Sequence, residues 1–316
     1  MGDIWTIRSA FEWTESYLER KGDENPRLST QWLLSEATRL SRVDLYAHFD
    51  KPLSMAERDV LRDIVSRRGN GEPLQYITGE VGFRHLTLKV RSGVLIPRPE
   101  TEVLVSEALA LLPHVRREGT WNGEAVEDGT EAESDSETIA DQPDVLIADV
   151  CTGSGCIACS IAQEYPRAQV LASDIDAGAL ALAKENAETC GLADKITFYQ
   201  GDLGAAIPDE FKGKIDLIVS NPPYIPTAVL SQIPREVSEF EPNLALDGGA
   251  DGLDQFRVLA PWAFQMLSDK GAFVVELFEG HITQAAALAK EVGFTSTRIV
   301  CDLAGRKRVL VAHALR

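Results

Sequence analysis

Apolar residues recur at helical spacing through the first seventy positions. In IWTIRSAFEWTESYLER, Ile4, Ile7, Phe11, Tyr17 and Leu18 fall near one face of a helix. RLSTQWLLSEATRL repeats the pattern with Pro26 just ahead as a start signal. SMAERDVLRDIVSRR follows, with Ser54 as N-cap and Glu57 three residues on, the spacing of a capping box; Gly69 and Gly71 are expected to stop it. The period then changes. LTLKV alternates as a strand, and GVLIPRPETEVLVSEALALL reads as a short strand joined to a helix that begins after Pro97, with Thr101 and Glu102 in its first turn. From residue 145 onward short apolar runs (DVLIADV, QVLASDI, KITFYQ, KIDLIVS, GAFVVEL) alternate with helical stretches from about 155, over 176–190 and near 252–268. The chain ends in TSTRIV and RKRVLVAH, joined by CDLAGRK as an antiparallel edge hairpin. Strands alternating with helices predict an α/β fold with a mostly parallel sheet covered on both faces. The expected organisation is a helical domain over 1–72, a linker with a short β-hairpin over 73–98, and an α/β domain over 99–316.

Charge changes this picture at one place. The chain carries −18 overall, and residues 118–144 hold ten acids and no Lys or Arg, leaving −8 for the rest. That composition predicts a solvated, disordered insertion at about 116–144. The acidic balance, with a pI of about 4.7, argues against a broad nucleic-acid-binding face. No run of about eighteen apolar residues predicts a membrane span, and the start MGDIWTIRSAFEW lacks the plan of a secretory signal. Five cysteines without framework spacing suit free thiols in a reducing cytoplasm. Cys156 and Cys159 lie three apart on a helix with no His nearby in sequence; they read as small core residues, and no metal site is expected.

Two motifs carry chemistry. In LIADVCTGSGCIACSIA a strand meets Gly153 and Gly155 and then a helix, so the backbone can turn sharply and a ligand can approach the helix N-terminus. Asp174 follows nineteen residues after Gly155, at the end of the next strand, where a carboxylate can accept both ribose hydroxyl protons. Gly153, Gly155 and Ala158 fit a dinucleotide fingerprint as well as a loop for S-adenosylmethionine. Asp149 favours a cationic sulfonium or amino-acid ligand over a pyrophosphate. The second motif is DLIVSNPPYIP. Asn221 precedes a proline and is held extended, and Pro222 and Pro223 remove two donors. Left exposed are two rigid acceptors, the Asn221 side-chain oxygen and the Pro222 carbonyl, which suit a planar NH₂ group. Tyr224 adds a flat face. Binding both N–H groups opposes delocalisation of the nitrogen lone pair as attack begins, so these contacts strengthen in the transition state.

SNPPYIP, VLIPRPETEVLV, GEPLQYITGEVGFRHLTLKV, DVCTGSGCIACSIA and EFEPNLALDGGADGLDQFR together resemble the release-factor glutamine methyltransferases, the HemK/PrmC family. The likeness covers nearly the whole chain apart from the acidic stretch. It implies a Rossmann-like class I methyltransferase sheet behind a small helical docking domain. It also implies S-adenosylmethionine-dependent methylation of the side-chain amide of the Gln in the Gly-Gly-Gln motif of peptide chain release factors. Carried over, Cys151, Thr152, Gly153, Ser154 and Gly155 form the cofactor loop, Asp174 holds the ribose, and Asp202 and Leu203 flank the adenine. Asn221 touches cofactor and substrate, and Asn221, Pro222, Pro223 and Tyr224 form the amide site, with Asn221, Pro222 and Tyr224 in the catalytic role. The implied protein is a cytoplasmic monomer whose partner is a release factor, with no membrane and no direct nucleic acid. Departures are Cys151 in place of a Gly, VELFEGHITQ in place of a Gly-containing stretch, and Leu203 in place of an aromatic. The alternative reading is a nucleic-acid adenine N6 amino-methyltransferase using the same Asn-Pro-Pro-Tyr site; an NAD oxidoreductase and a non-catalytic adaptor fit the motifs less well.

Overall fold

The computed structural model describes residues 5–113 and 144–315. Apart from Asp144, the expected acidic insertion lies outside the described residues. In chain order the elements are α1 (Ile7–Arg20), α2 (Pro26–Thr38), α3 (Arg42–Ala47), α4 (Met55–Gly69), α5 (Leu74–Thr78), β1 (Glu80–Phe83), β2 (Leu86–Lys89) and α6 (Thr101–Ala110). They continue as β3 (Val145–Val150), α7 (Cys156–Glu164), β4 (Ala168–Asp174), α8 (Ala177–Thr189), β5 (Ile196–Gln200), β6 (Ile215–Ser220) and α9 (Arg235–Phe240). The last are α10 (Asp254–Met266), β7 (Leu267–Glu276), α11 (Ile282–Val292), β8 (Ser296–Cys301) and β9 (Lys307–His313). Contacts group them into two compact units, one of residues 1–82, 87–96 and 228–245, the other of 83–86, 97–227 and 246–316. The boundaries expected at 72 and 98 are continuous in sequence; these units are not.

In the first unit the helix signals act as their chemistry requires. Thr6 and Ser9 form a reciprocal capping box at α1, as Ser54 and Glu57 do at α4. Pro26 occupies the first turn of α2, where its missing N–H costs nothing. Ile7, Phe11, Leu18, Leu33, Leu34, Leu45, Leu61 and Ile64 close one apolar core. Helix α4 ends at Gly69, as expected, and the bare Cα there packs on a ring: a Cβ would lie 2.7 Å from Tyr17 Cε1. One expectation differs. The short strand expected near 93–96 is irregular backbone; Val94 and Ile96 are buried, and Tyr76 donates its hydroxyl to the Val94 carbonyl at 2.7 Å.

The second unit is a seven-stranded sheet in the order β5-β4-β3-β6-β7-β9-β8. β5, β4, β3, β6 and β7 are parallel, and β9 pairs antiparallel with both β7 and β8. The terminal hairpin is therefore at the edge, as expected, with its second strand on the inside. The central strands read as unbroken apolar runs because both faces are covered. Ala148, Val150, Ile218, Phe273, Val275 and Leu310 pack with Phe256, Leu259 and Ala263 of α10 and Ile282 and Ala285 of α11. On the alternate face α6 meets β6, β7, β9 and α7, while α7 packs on β4 and β5.

Residues 83–86 belong to this unit, and Arg84 holds them in it. Its guanidinium donates to both Glu164 oxygens, at 2.5 and 2.8 Å, and to the Glu102 carbonyl and Ser106 hydroxyl at 3.0 and 2.6 Å. The pair is largely buried, with Glu164 only 5% exposed, so desolvation of the carboxylate is offset by this fork. Arg84→Ala leaves Glu164 without its guanidinium and is expected to cost about 3 kcal/mol, read as a lower midpoint in urea unfolding.

Candidate active site

Three neighbouring parallel strands end in one row and carry the glycine loop, Asp174 and the Asn-Pro-Pro-Tyr segment. Val150 of β3 pairs with Ser173 of β4 on one side and with Ser220 of β6 on the other. The order of strands in the sequence reverses between β3 and β6, the switch point where open α/β sheets bind ligands beyond their carboxyl ends. Two buried bonds hold the row: Ser220 donates its hydroxyl to the Val150 carbonyl at 2.7 Å, and Thr152 N–H donates to the Ser173 carbonyl at 3.0 Å.

The glycine loop leaves β3 at Cys151 (φ 62°) and turns through Gly153 (φ 56°) and Gly155 (φ 80°) into α7. All three residues are left-handed, so Cys151 holds a conformation that favours glycine. Around Gly155 the packing is close: a Cβ would lie 3.0 Å from Ala183 Cβ on α8. Beside Gly153 the space is open: a Cβ there would have nothing within 4 Å. Asn186 of α8 donates to the Ser154 carbonyl at 2.9 Å. Asp174, at the end of β4, accepts Gly153 N–H on one oxygen and Asp176 N–H on the other, both at 2.9 Å. Each oxygen keeps a lone pair for a further donor. Burial raises the Asp174 pKa above the usual carboxylate range, against the pull of these N–H groups.

Asp149 does not face outward as a charge for a cationic ligand. It is fully buried, and one of its oxygens accepts both the Thr152 hydroxyl at 2.6 Å and Ala158 N–H at 3.1 Å, while the other has no partner. Its part is to lace β3, the loop and the start of α7 together. Burial pushes its pKa up to about 7. Leu203 is expected to flank the adenine. At φ 48° it turns its side chain into the sheet core, and its carbonyl accepts the Ser173 hydroxyl at 2.9 Å. Asp202 beside it is exposed. The adjacent Gly204 has no room for a Cβ, which would overlap the Trp262 ring.

Asn221, Pro222, Pro223 and Tyr224 follow directly on β6, Pro222 buried and the others half-buried. The segment is braced from the far side by residues 246–252. Ile225 N–H donates to the Leu246 carbonyl, Gly248 N–H to the Ile225 carbonyl and Thr227 N–H to the Gly249 carbonyl, at 2.9, 2.8 and 2.9 Å. The contact is backbone on backbone: a Cβ on Gly248 would lie 2.7 Å from Tyr224 Cα, and one on Gly252 would overlap the Tyr224 carbonyl oxygen. A second brace comes from side chains. Asn221 Nδ2 donates to Thr101 Oγ1 at 3.1 Å, and Thr101 donates to Glu276 Oε2 at 2.7 Å. Tyr224 donates its hydroxyl to Glu276 Oε1 at 2.9 Å.

Sequence reasoning placed the strand-end residues but missed Thr101, Asn186, Glu276 and the bracing glycines. A lone acid within the apolar run GAFVVEL was the available signal for Glu276. A buried charge in a strand demands partners.

Two outcomes follow from this packing. Gly252→Ala adds a Cβ against the Tyr224 carbonyl at φ +72°, whereas Gly191→Ala, at φ +71°, meets nothing within 4 Å. The second is expected to cost about 1 kcal/mol from left-handed strain alone and to leave catalysis intact. The first is expected to cost about 2–3 kcal/mol and to lower turnover, which denaturation curves and rate measurements on the pair compare. Asp149→Asn keeps both accepted bonds on its oxygen and removes the titration. Because the folded pKa lies above the unfolded one of 3.8, native stability falls as pH rises from about 4 to about 7. Melting temperatures at pH 5 and pH 8 are expected to show the Asn variant gaining on the parent at the higher pH.

Residues 9–79 match the PrmC N-terminal domain, and residues 118–233 match the methyltransferase small domain. The release factor glutamine methyltransferase of Geobacter sulfurreducens is 42% identical over 308 residues, covering 98% of this chain and 96% of that protein. The enzyme of the same name from Moorella thermoacetica is 39% identical, covering 98% of each. A solved protein-(glutamine-N5) methyltransferase from Alicyclobacillus acidocaldarius is 27% identical and covers 69% of this chain and 93% of that one, at a TM-score of 0.37 that lends no weight to the geometry. With full-length relatives at this identity and the strand-end motifs in place, the chain belongs to the release factor glutamine methyltransferase family.

Proposed function

We propose that this protein transfers a methyl group from S-adenosylmethionine to the side-chain amide nitrogen of the Gln in the Gly-Gly-Gln motif of peptide chain release factors. One observation carries the reading: a rigid pair of acceptors at the end of β6 stands directly beside a left-handed glycine loop at the end of β3. The residues around that loop fit the cofactor. The open space beside Gly153 admits a ligand against bare backbone, and Asp174 has a lone pair left on each oxygen for two ribose hydroxyls. Asp202 and the backbone at Leu203 would border the adenine; the Leu203 side chain is committed to the core. When bound, S-adenosylmethionine supplies an electrophilic methyl on a sulfonium.

The remaining work belongs to the chain. With its Nδ2 given to Thr101, Asn221 offers Oδ1 as an acceptor, and Pro222 offers its carbonyl beside it. Each takes one N–H of the substrate amide. Both bonds strengthen as the nitrogen lone pair withdraws from the carbonyl, which lowers the barrier rather than only tightening binding. The prolines and the Gly248–Gly252 brace hold these acceptors before the substrate arrives, so little reorganisation remains at the moment of reaction. The methylated, cationic nitrogen is acidic enough to lose its proton to water, and no strong base is required. Tyr224 cannot serve as one: burial and the Glu276 carboxylate raise its pKa well above the ordinary phenol value. The helical first unit is read as the docking surface for the release factor, and the protein as a cytoplasmic monomer that does not act on nucleic acid.

The test offers labelled S-adenosylmethionine together with release factor, its Gln→Ala variant, or duplex DNA. Label is expected in the intact release factor alone; label in DNA would favour adenine methylation and overturn the reading. Asn221→Ala is expected to lower turnover by about a hundredfold to a thousandfold. Asn221→Asp should fall between the two, because it keeps the acceptor but sets a second oxygen against Thr101 Oγ1.

A further inference from the structure

The Asn-Pro-Pro-Tyr segment supplies its own acceptors, but nothing within it decides which way the Asn221 amide faces. The oxygen and nitrogen of that amide are nearly the same size, and only hydrogen bonding distinguishes them. A flipped Asn221 would present two N–H groups to the substrate NH₂, donor against donor. Something outside the segment must forbid that orientation.

We propose that Thr101 and Glu276 are positioning residues that impose the polarity of the Asn221 amide. The argument is a count of protons. Glu276 is 1% exposed, and its two oxygens each receive one hydroxyl, Thr101 at 2.7 Å and Tyr224 at 2.9 Å. Both hydroxyls donate to these oxygens, and a hydroxyl has a single proton to give. Thr101 then has no proton left to donate and can only accept. What it accepts is the Asn221 NH₂, at 3.1 Å. Oδ1 is thereby turned to the other side, where the substrate amide is read to lie. Thr101 is 1% exposed, so water does not compete for its lone pair. The same carboxylate fixes the first and last residues of the segment, Asn221 through the relay and Tyr224 directly. This assignment rests on the methyl-transfer reading above and deepens it; neither residue touches the reacting nitrogen.

Isosteric replacements break the relay in distinct ways. Glu276→Gln introduces an NH₂ that can donate to Thr101, which frees the Thr101 proton for Asn221 Oδ1 and stabilises the flipped amide. Thr101→Val removes the acceptor from Asn221 while keeping the side-chain shape. Thr101→Ser restores the hydroxyl. The expected result is a fall in kcat of about tenfold to a hundredfold for Glu276→Gln and for Thr101→Val, less than for removing the acceptor itself. KM for the release factor and the Kd for S-adenosylmethionine should stay within about threefold, and Thr101→Ser should recover most of the parent kcat. The double variant should be no worse than the weaker single one, because the two act as a unit.

A readout without cofactor accompanies the kinetics. The Asn221 side-chain amide pair, assigned in a ¹⁵N correlation spectrum by its loss in Asn221→Asp, should shift in Thr101→Val and in Glu276→Gln and return in Thr101→Ser. Parent-like kcat and amide shifts in Thr101→Val would overturn the assignment, as would Thr101→Ser impaired to the same degree as Val. If Glu276→Gln does not fold, the Val–Ser pair at position 101 decides alone. If the parent enzyme leaves release factor unlabelled, the functional reading fails, while the amide shifts still report on the relay.

Discussion

Parallel pairing of β3 with β6 is the constraint on which the rest of the site depends. Val150 and Ser220 are register partners, and the Ser220 hydroxyl locks them by donating to the Val150 carbonyl at 2.7 Å. Parallel neighbours lie about 4.8 Å apart, so whatever follows the two strands must start side by side. One strand continues into a loop that bends away through left-handed residues into a helix. The other is prevented from bending by two prolines. A backbone that turns and a backbone that cannot turn thus begin side by side, and on the reading proposed above the two substrates meet between them, where no side chain has to reach far. This economy explains why the chemistry needs so few polar groups: geometry set by strand pairing replaces the entropy of bringing reactants together.

Two buried acids support these strand ends from the same face of the sheet. Asp149 and Glu276 share the side of Val219 and Val274 by strand alternation and register, the side against which α6 and α7 pack. Each laces a strand end to the first turn of a helix: Asp149 to Thr152 and Ala158, Glu276 to Thr101. Buried carboxylates are poor sources of stability, since desolvation offsets most of what their bonds contribute. Burial accordingly raises both pKa values. What such groups supply is a unique arrangement of protons. Apolar residues in these positions would pack as well and would leave the hydroxyls of Thr152, Thr101 and Tyr224 free to rotate.

Much of this was legible in the sequence, and the limits have physical causes. Capping signals are local, so the starts of α2 and α4 were read from Pro26, Ser54 and Glu57. The strand–glycine–helix unit was legible because an apolar run, bare Cα positions and a following helical period lie within the twenty residues 145–164. The Asn-Pro-Pro-Tyr segment was legible because proline restricts its own neighbourhood whatever the tertiary context. What sequence reading missed acts across long separations. Thr101 and Glu276 are 175 positions apart, and Glu276 and Tyr224 are 52 apart. Gly248 and Gly252 look like turn glycines, and only the approach of the Tyr224 backbone shows why they lack a Cβ. The resemblance sets Leu203 beside the adenine; that its side chain packs into the sheet core follows from a left-handed φ that residue type alone does not reveal.

Left-handed residues other than glycine stand at two turns beyond the strand ends, Cys151 after β3 and Leu203 after β5. Each costs on the order of 1–2 kcal/mol relative to ordinary backbone, and such conformations persist only where neighbours over-determine them. Ser173 is the neighbour common to both. It is fully buried at the penultimate position of β4, between the other two strands. Its carbonyl accepts the N–H of Thr152, next to Cys151, and its hydroxyl donates to the carbonyl of Leu203 itself. One residue thus holds the two turns by opposite ends of its own polarity, acceptor toward the glycine loop and donor toward the 202–204 turn. An alanine-sized side chain could fill the same space but could hold only the first. The replacement of a loop glycine by Cys151 is tolerated for the same reason, since the bond that fixes this turn is made by the backbone of the next residue and does not depend on what side chain position 151 carries.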